Sequence, residues 1–529
     1  MDKSPFVYVA IEVGGIQKYI FATGKLKEMI GASQIVYDVA DSLPEEVAKE
    51  LGLTEQNEPQ EGTGWYLVLQ NNAGALRLLM PDMRSANKFM QTFSRMALAR
   101  FPGLPLFGTA TEGVQWSVEG LSEARRKSTD EVNRQRATSP VPAGMLMQPF
   151  VQAARLDGLP AVQPDKNDTA ISLLSEAKRA PSLLNAATER LKITFNDALA
   201  TVLPKNTEIV WPDDFALLCN SAERARIALI HIDGNDLGKL FLKKSEEGGG
   251  RIRSATESTR AMAALSCLVD ESNTQAFLEA LVATVKTDLK ENAKNRKSPG
   301  YDYVVPVRPL LMGGDDLTLI VRADLALPMV DAFVSAFEKI TAEKGEALSV
   351  GAGMLIMPAS YPFAKAISLV EELMENAKKL TANKEGKRPS SLDYLVLTGD
   401  VEADLRCLRQ RVYTANDGRK LTAKPYILAE GWYARFRKEA WAVLHDLPRS
   451  HTRPALEACR MGDSKAREAY TKLLKNLERG LGGRKDARLM KPEELRALFG
   501  AESFFDAEGR TRLTDYIELA SYIKEADHA

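Results

Sequence analysis

Gly313-Gly314-Asp315-Asp316 sits between two apolar, β-prone runs, Pro309–Met312 and Leu317–Val321. Such a pattern predicts a β-hairpin whose tight turn carries two adjacent carboxylates. The glycines allow positive φ and let a phosphate or metal approach the backbone. Adjacent carboxylates repel, and the local chain offers little to offset them. A hard divalent cation such as Mg²⁺ or Mn²⁺, which takes oxygen ligands, is the usual remedy. Alone, the pattern fits a plain turn with solvated acids equally well. A second stretch, Ala228-Leu-Ile-His-Ile-Asp233-Gly234-Asn-Asp-Leu-Gly238, shifts the balance. It reads as a strand ending in an acid, then a Gly-containing turn, then a helix. An acid at a strand end can lie beside the carboxylates of a neighbouring hairpin. Asp233, Asp315 and Asp316 together are what a two-metal phosphoryl-transfer site needs.

Composition narrows the elements that must position these acids. At 529 residues the chain is too long for one core, so three or four domains are expected. Apolar content of 45% and charged content of 27% are ordinary for globular protein. A net charge of −1 gives no global attraction to nucleic acid, so any RNA contact must use local basic patches. Cys219, Cys267, Cys407 and Cys459 are far apart, against a zinc ribbon or disulfide framework and in favour of a reducing cytoplasm. The polar start Met1-Asp-Lys-Ser-Pro5 is not that of a signal peptide, and no apolar run is long enough to span a bilayer.

In chain order, residues 6–13 form a strand candidate, followed by Gly14-Gly15 and a helix-like run from Ile16 to about Val39. A hairpin over 65–80 turns at Asn71-Asn72-Ala73-Gly74 but supplies no carboxylate. Residues 84–101 read as an amphipathic helix. Strand, helix, hairpin, helix and strand predict a ferredoxin-like palm. The segment 116–220 reads as mostly helical, with a basic run from Arg125 to Arg136 and linker-like 140–144 and 160–164.

A second palm is expected next. Its strand over 228–233 leads to a flexible Gly248–Arg253 loop and a helix over 256–294 interrupted near Asp270. The carboxylate hairpin, a helix over 326–343, a strand over 348–356, a helix over 361–380 and a strand over 391–397 follow. The 361–380 helix ends in Lys378-Lys379, which either suits the helix dipole or reaches a triphosphate beside the metals. Residues 398–529 are almost all helical in pattern. The two palm regions read as a degenerate repeat. Ile11–Phe21 aligns without gaps on His231–Phe241, with Val13 falling on Asp233. The first palm therefore lacks the strand acid and reads as structural. The fold class expected is α+β: a degenerate first palm over 1–115, a helical inter-palm segment over 116–220, the Gly-Gly-Asp-Asp palm over 221–398 and a C-terminal helical bundle over 399–529.

With these stretches together, the chain resembles the large polymerase-like subunit of type III CRISPR effector complexes. The resemblance is carried by Val13-Gly-Gly-Ile-Gln-Lys-Tyr-Ile-Phe21 with Ile30-Gly-Ala-Ser33, and by Ile232–Phe241. Pro306–Thr318, Leu348-Ser-Val-Gly-Ala-Gly353, and Tyr361-Pro-Phe363 with Ala377-Lys378 complete it. It implies a nucleotidyltransferase that joins ATP into cyclic oligoadenylate, a second messenger for antiviral defence. Asp233, Asp315 and Asp316 would be the metal ligands for Mg²⁺ or Mn²⁺. Gly234, Gly313 and Gly314 would shape the turns over the nucleotide, Lys378 would meet the triphosphate, and Ser349 would lie near the base.

Implied partners are ATP, guide or target RNA, small CRISPR subunits docking on the C-terminal bundle, and a downstream effector reached through the cyclic product. A homo-oligomer and a cytoplasmic location fit the same reading; a membrane does not. Family members commonly carry an N-terminal HD nuclease and often a cysteine-bearing module between the palms. This sequence starts at the first palm and has no cysteine over 140–165, so DNA cleavage is not expected. Two alternatives stay open: an RNA-binding assembly subunit of a guide-RNA complex, and a stand-alone cyclase with another cyclic nucleotide product.

Overall fold

A computed structural model describes residues 5–523 apart from 73, 140–150, 165–168, 220–225, 249–250, 253, 292–301, 383–387, 398–403, 448 and 481–488. The chain is α+β. Its first sheet has four long strands, β1 (Phe6–Val13), β2 (Trp65–Asn72), β3 (Ala75–Met80) and β4 (Leu106–Val114), with the two-residue strand Thr54–Glu55 pairing parallel at the β2 edge. Helices α1 (Leu26–Ala40) and α2 (Met83–Arg100) are interleaved with these strands, and α3 (Val118–Thr138) follows them. The order across the sheet is β2-β3-β1-β4, and the pairings among these four strands are antiparallel. That is the split order of a ferredoxin-like palm. Between β1 and α1 the expected single helix is broken: Ile16–Ile20 is helical, then Phe21–Lys25 departs from it. Gly24, the poorest helix former there after proline, marks the break.

Two helices, α4 (Leu173–Lys178) and α5 (Pro181–Ala200), lead to the second sheet. The stretch expected as a linker, 160–164, instead pairs as a short strand, Ala161–Pro164 with Ala170–Ser172; residues 140–144 lie outside the described residues. The second sheet has β5 (Arg226–Gly234), β6 (Val307–Gly313), β7 (Asp316–Arg322), β8 (Val350–Pro358), β9 (Ser391–Val396) and β10 (Tyr426–Ile427). Their order is β6-β7-β5-β8-β9-β10, so the first four repeat the split order of the first sheet. Helices α6 (Ala255–Glu291), α7 (Ala326–Glu343) and α8 (Phe363–Thr381) cover it. The interruption expected near Asp270 is absent, because α6 runs unbroken through it. Ahead of α6, Glu247–Gly248 pairs with Arg251–Ile252 where a plain loop was expected.

After β9 come α-helices α9 (Leu405–Val412), α10 (Trp432–Trp441), α11 (Arg449–Met461), α12 (Asp463–Glu478), α13 (Pro492–Phe499) and α14 (Leu513–Glu518). Strand alternation explains how the layers join. Ala228, Ile230 and Ile232 face a core shared with α6, α7 and the C-terminal helices. Ile227 and Leu229 face the other way, into a core shared with α8 and the first palm's α1. Phe363 of α8 stacks against Phe21, ring centres 6.4 Å apart, at the seam between the palms. Among the described residues, no helix is long and apolar enough to cross a membrane.

Candidate functional site

Register brings the acids together. Leu317 of β7 pairs with Ile232 of β5, so one residue further along, Asp316 falls opposite Asp233. Gly313 pairs with Asp316, leaving Gly314-Asp315 as a two-residue hairpin loop. Gly314 takes φ +61°, the left-handed backbone that such a loop requires. One carboxylate oxygen from each of Asp233, Asp315 and Asp316 lies within 4.8 Å of the others. All three residues are half-buried.

Asp233 lies on the face of β5 that meets α8, and from there Lys378 reaches it. The Lys378 ammonium donates to an Asp233 carboxylate oxygen and, at 2.7 Å, to the Gly234 carbonyl. Gly351 and Gly353 of β8 make this approach feasible. A Cβ at Gly351 would stand 2.4 Å from Lys378 Cγ, and one at Gly353 would stand 2.2 Å from the Val370 carbonyl oxygen. Missing side chains on β8 thus let α8 lie close enough for its lysine to reach the acids.

The electrostatics follow from burial. Loss of solvent is the largest influence on each acid and pushes all three carboxyls up. At Asp233 the Lys378 ammonium and hydrogen bonds from the other two acids outweigh it, leaving this carboxyl below its usual range. Asp315 and Asp316 then feel burial plus the charge of Asp233, and rise to about 6 and about 8. His231, one turn of the pleat below Asp233, is held down to about 4 by burial and is neutral at pH 7. Its Nδ1 is 2.9 Å from Thr318 Oγ1. One lysine therefore offsets part of the charge of three acids, and the excess remains.

Those donors are all anionic oxygens, which suits a hard divalent cation such as Mg²⁺ or Mn²⁺ and not a soft metal. A cation there would offset the repulsion that raises the Asp315 and Asp316 carboxyls.

Helix α6 fixes the turn in a way the sequence did not disclose. Asp270 Oδ1 accepts from the Gly314 N–H at 3.0 Å, and Asn273 Nδ2 donates to the Gly314 carbonyl at 2.9 Å. Asp270 and Asn273 are three apart on one helical face, flanked by buried Val269 and Phe277. Two polar residues in an apolar stripe were the available signal. Beyond Asp233, Asn235 donates to Ser349 Oγ at 3.0 Å and its N–H to the Ser349 carbonyl at 2.9 Å. Ser349 is 5% exposed, so it braces the turn after β5. Arg388 Nη1 lies 3.3 Å from Asp236 Oδ2, and its Nε donates to Thr381 Oγ1 at 2.9 Å, tying that turn to the end of α8. Gly234 packs against Asp315, since a Cβ there would lie 3.1 Å from Asp315 Cβ. Among the described residues, nothing lies within 4 Å of where a Cβ on Gly313 would stand. The structure thus gathers Asp233, Asp315, Asp316, Lys378, Gly234 and Gly314 at one point.

Residues 226–387 match the family described as Cas10/Cmr2, second palm domain. That match spans β5 to β8 and helices α6, α7 and α8 of the second sheet. This match bears out the resemblance carried by the sequence. Over the whole chain, the fold is similar to the crystal structure of Csm1 in T. onnurineus, with TM-score 0.54 and 15% identity, covering 99% of this chain and 70% of that one. A Csm1-Csm4 cassette in complex with cA4 gives TM-score 0.50 and 14% identity, covering 98% and 70%. Against Csm1-Csm4 cassettes with cA3 and with pppApApA, the chain spans 58% and 62% of the matched chain. No curated protein matches. What distinguishes the second sheet from the first is the carboxylate cluster at one end of β5 and β7.

Proposed function

We propose that the second palm is a metal-dependent nucleotidyltransferase that joins ATP through 3′–5′ bonds and closes the product into a cyclic oligoadenylate. The convergence of Asp233, Asp315 and Asp316 within 4.8 Å carries this reading. Divalent cations bound there would supply positive charge to a triphosphate and to an attacking hydroxyl. The reaction is in-line attack of a 3′-hydroxyl on an α-phosphate, with pyrophosphate leaving.

This chain's residues contribute position and charge. Asp233 and Asp316 lie on adjacent strands, so the backbone ladder fixes their spacing. Asp270 and Asn273 hold the turn that carries Asp315. Lys378 brings a cation to the edge of the cluster, where it can turn from Asp233 to a phosphate oxygen. Neutral His231 leaves the acids to accept metal without a competing charge beneath them. The clearance beside Gly313 among the described residues gives a nucleotide room over the turn.

Csm1 forms a cassette with Csm4 in structures of this fold; by analogy, a partner subunit is part of the proposal here, docked on the C-terminal helices. The direct test is incubation of the purified chain with each NTP and Mg²⁺ or Mn²⁺, with products resolved by mass spectrometry. Masses of cyclic oligoadenylate from ATP are expected. Linear template-length polymer, or cyclic product from GTP alone, would contradict the assignment of substrate.

A further inference from the structure

A second charged site lies on the seam between the palms, away from the carboxylates. Arg308 of β6 is 1% exposed. It pairs in register with Ile320 and points, like Leu310, towards the face that packs on α1 and α5. Its Nε and Nη1 are buried and, among the described residues, have no hydrogen-bond partner. Arg308 lines a small cleft that is partly open to solvent. Arg190 of α5 lines the same cleft, and so does Ser33 of α1.

Acids do not account for this pair. Asp213 is near enough to Arg308 to favour its charge, but it is ion-paired with Lys27 at 3.1 Å. Arg190 stacks over the Tyr37 ring at 4.0 Å, and feels Asp38 and Asp41 only as minor influences. Ser33 donates to the Leu310 carbonyl. A buried guanidinium with unmade hydrogen bonds is costly, and a second arginine beside it adds repulsion. Two arginines lining one small space, Arg190 also hydrogen-bonded to Tyr37, offer the planar N–H donors that recognise an oxyanion.

We infer that this cleft binds a phosphate group, held by Arg308 and Arg190 between the two palms. The group is either free inorganic phosphate or a phosphate of a nucleotide. Its position gives it a structural consequence. Arg308 is on the strand that runs directly into Gly313-Gly314-Asp315-Asp316, while α1 belongs to the first palm. A bound phosphate would tie the first palm to the strand that carries the carboxylate turn. This inference does not rest on the nucleotidyltransferase reading, because it needs no metal and no turnover.

The test is equilibrium dialysis of the full chain against radiolabelled inorganic phosphate in EDTA, at constant ionic strength in chloride. Saturable binding is expected. Arg308→Met should lose it, and Arg190→Gln should weaken it by about tenfold through loss of charge-assisted hydrogen bonds. Melting temperature supplies a second readout. Native protein should melt higher in phosphate than in chloride, whereas Arg308→Met should melt at the same temperature in both. In chloride alone, Arg308→Met should match or exceed native stability, since it removes a buried unpaired charge. Displacement of labelled phosphate by ATP in EDTA would assign the site to a nucleotide phosphate; lack of displacement would assign it to the free ion. The inference is overturned if native protein binds neither phosphate nor ATP in EDTA, or if Arg308→Met binds phosphate as well as native does.

Discussion

The two palms share a strand order and treat a strand-end acid in opposite ways. In the first sheet Glu12, one residue before the end of β1, is gripped by Arg77 and Arg136. The next residue, Val13, stands where the aligned copy has Asp233. Val13 packs against Gly74 of the hairpin turn, where an added Cβ would lie 3.3 Å from Val13 Cβ and 2.9 Å from Ile16 Cδ1. Hydrocarbon closes that end of the sheet. At the equivalent end of the second sheet, three carboxylates face one another with one lysine among them. The first palm has spent its charge on an ion-paired network that holds the fold. The second keeps an excess of negative charge that repels itself, and such excess is what a bound cation can use. The difference teaches that the repeated scaffold specifies where chemistry can sit, while a few side chains at one sheet end decide whether it does.

The largest effect should separate the palms by activity. Asp233→Asn is expected to lower turnover of ATP by about 100- to 1000-fold, the scale of removing one preorganised electrostatic group. Circular dichroism and melting should stay native-like. Glu12→Gln is the matching change in the first palm and should do the reverse. It leaves Arg77, 6% exposed, without its main partner, at a stability cost of about 3 kcal/mol. Turnover per folded molecule should be unchanged. Equal activity losses in both variants would erase the comparison.

pH sharpens it next. Asp315 and Asp316 have folded-state values raised to about 6 and about 8. The folded state therefore holds protons that the unfolded chain releases at lower pH. Stability from these groups is present below their unfolded range and is lost as pH rises through the folded values. Metal-free protein should lose melting temperature between about pH 6 and pH 8. Asp316→Asn should flatten that slope, and Mn²⁺ should raise the melting point most at the alkaline end. A metal-free slope of opposite sign would show that the acids are not repelling one another.

Smaller effects are expected from the supports. Gly351→Ala places a Cβ 2.4 Å from Lys378 Cγ and should displace that lysine, raising KM for ATP about tenfold with little change in stability. Asn273→Ala frees one side of the Gly314 peptide and should lower kcat by severalfold, readable in the same assay. If Gly351→Ala leaves KM unchanged, Lys378 has no part in holding the nucleotide.

Much of this was legible in the sequence because it rests on local patterns. Gly313-Gly314 followed by two acids between apolar runs specifies a hairpin with its carboxylates at the turn. The strand over 228–233 announces itself by its apolar content, and the eleven-residue alignment exposes Val13 opposite Asp233. Other parts depend on packing that no local pattern encodes. The helix over 256–294 reads as interrupted near Asp270, yet it runs unbroken and carries Asp270 and Asn273 to the turn. In the fold Asn273 is buried and Asp270 exposed, and both hold the Gly314 turn. Lys378 reads as a helix-end cation or a phosphate ligand, and its pairing with Asp233 depends on two glycines of a different strand. Arg308 carries no local signal of its burial, which comes from the approach of α1 and α5.

The central claim is that the carboxylates of the second palm perform nucleotidyl transfer. Its most direct test compares native protein with Asp315→Ala/Asp316→Ala, incubated with α-labelled ATP and Mn²⁺ and analysed by mass spectrometry after phosphatase treatment. Native protein should yield phosphatase-resistant cyclic oligoadenylate, and the folded double variant should yield none. Undiminished product from the double variant would contradict the claim.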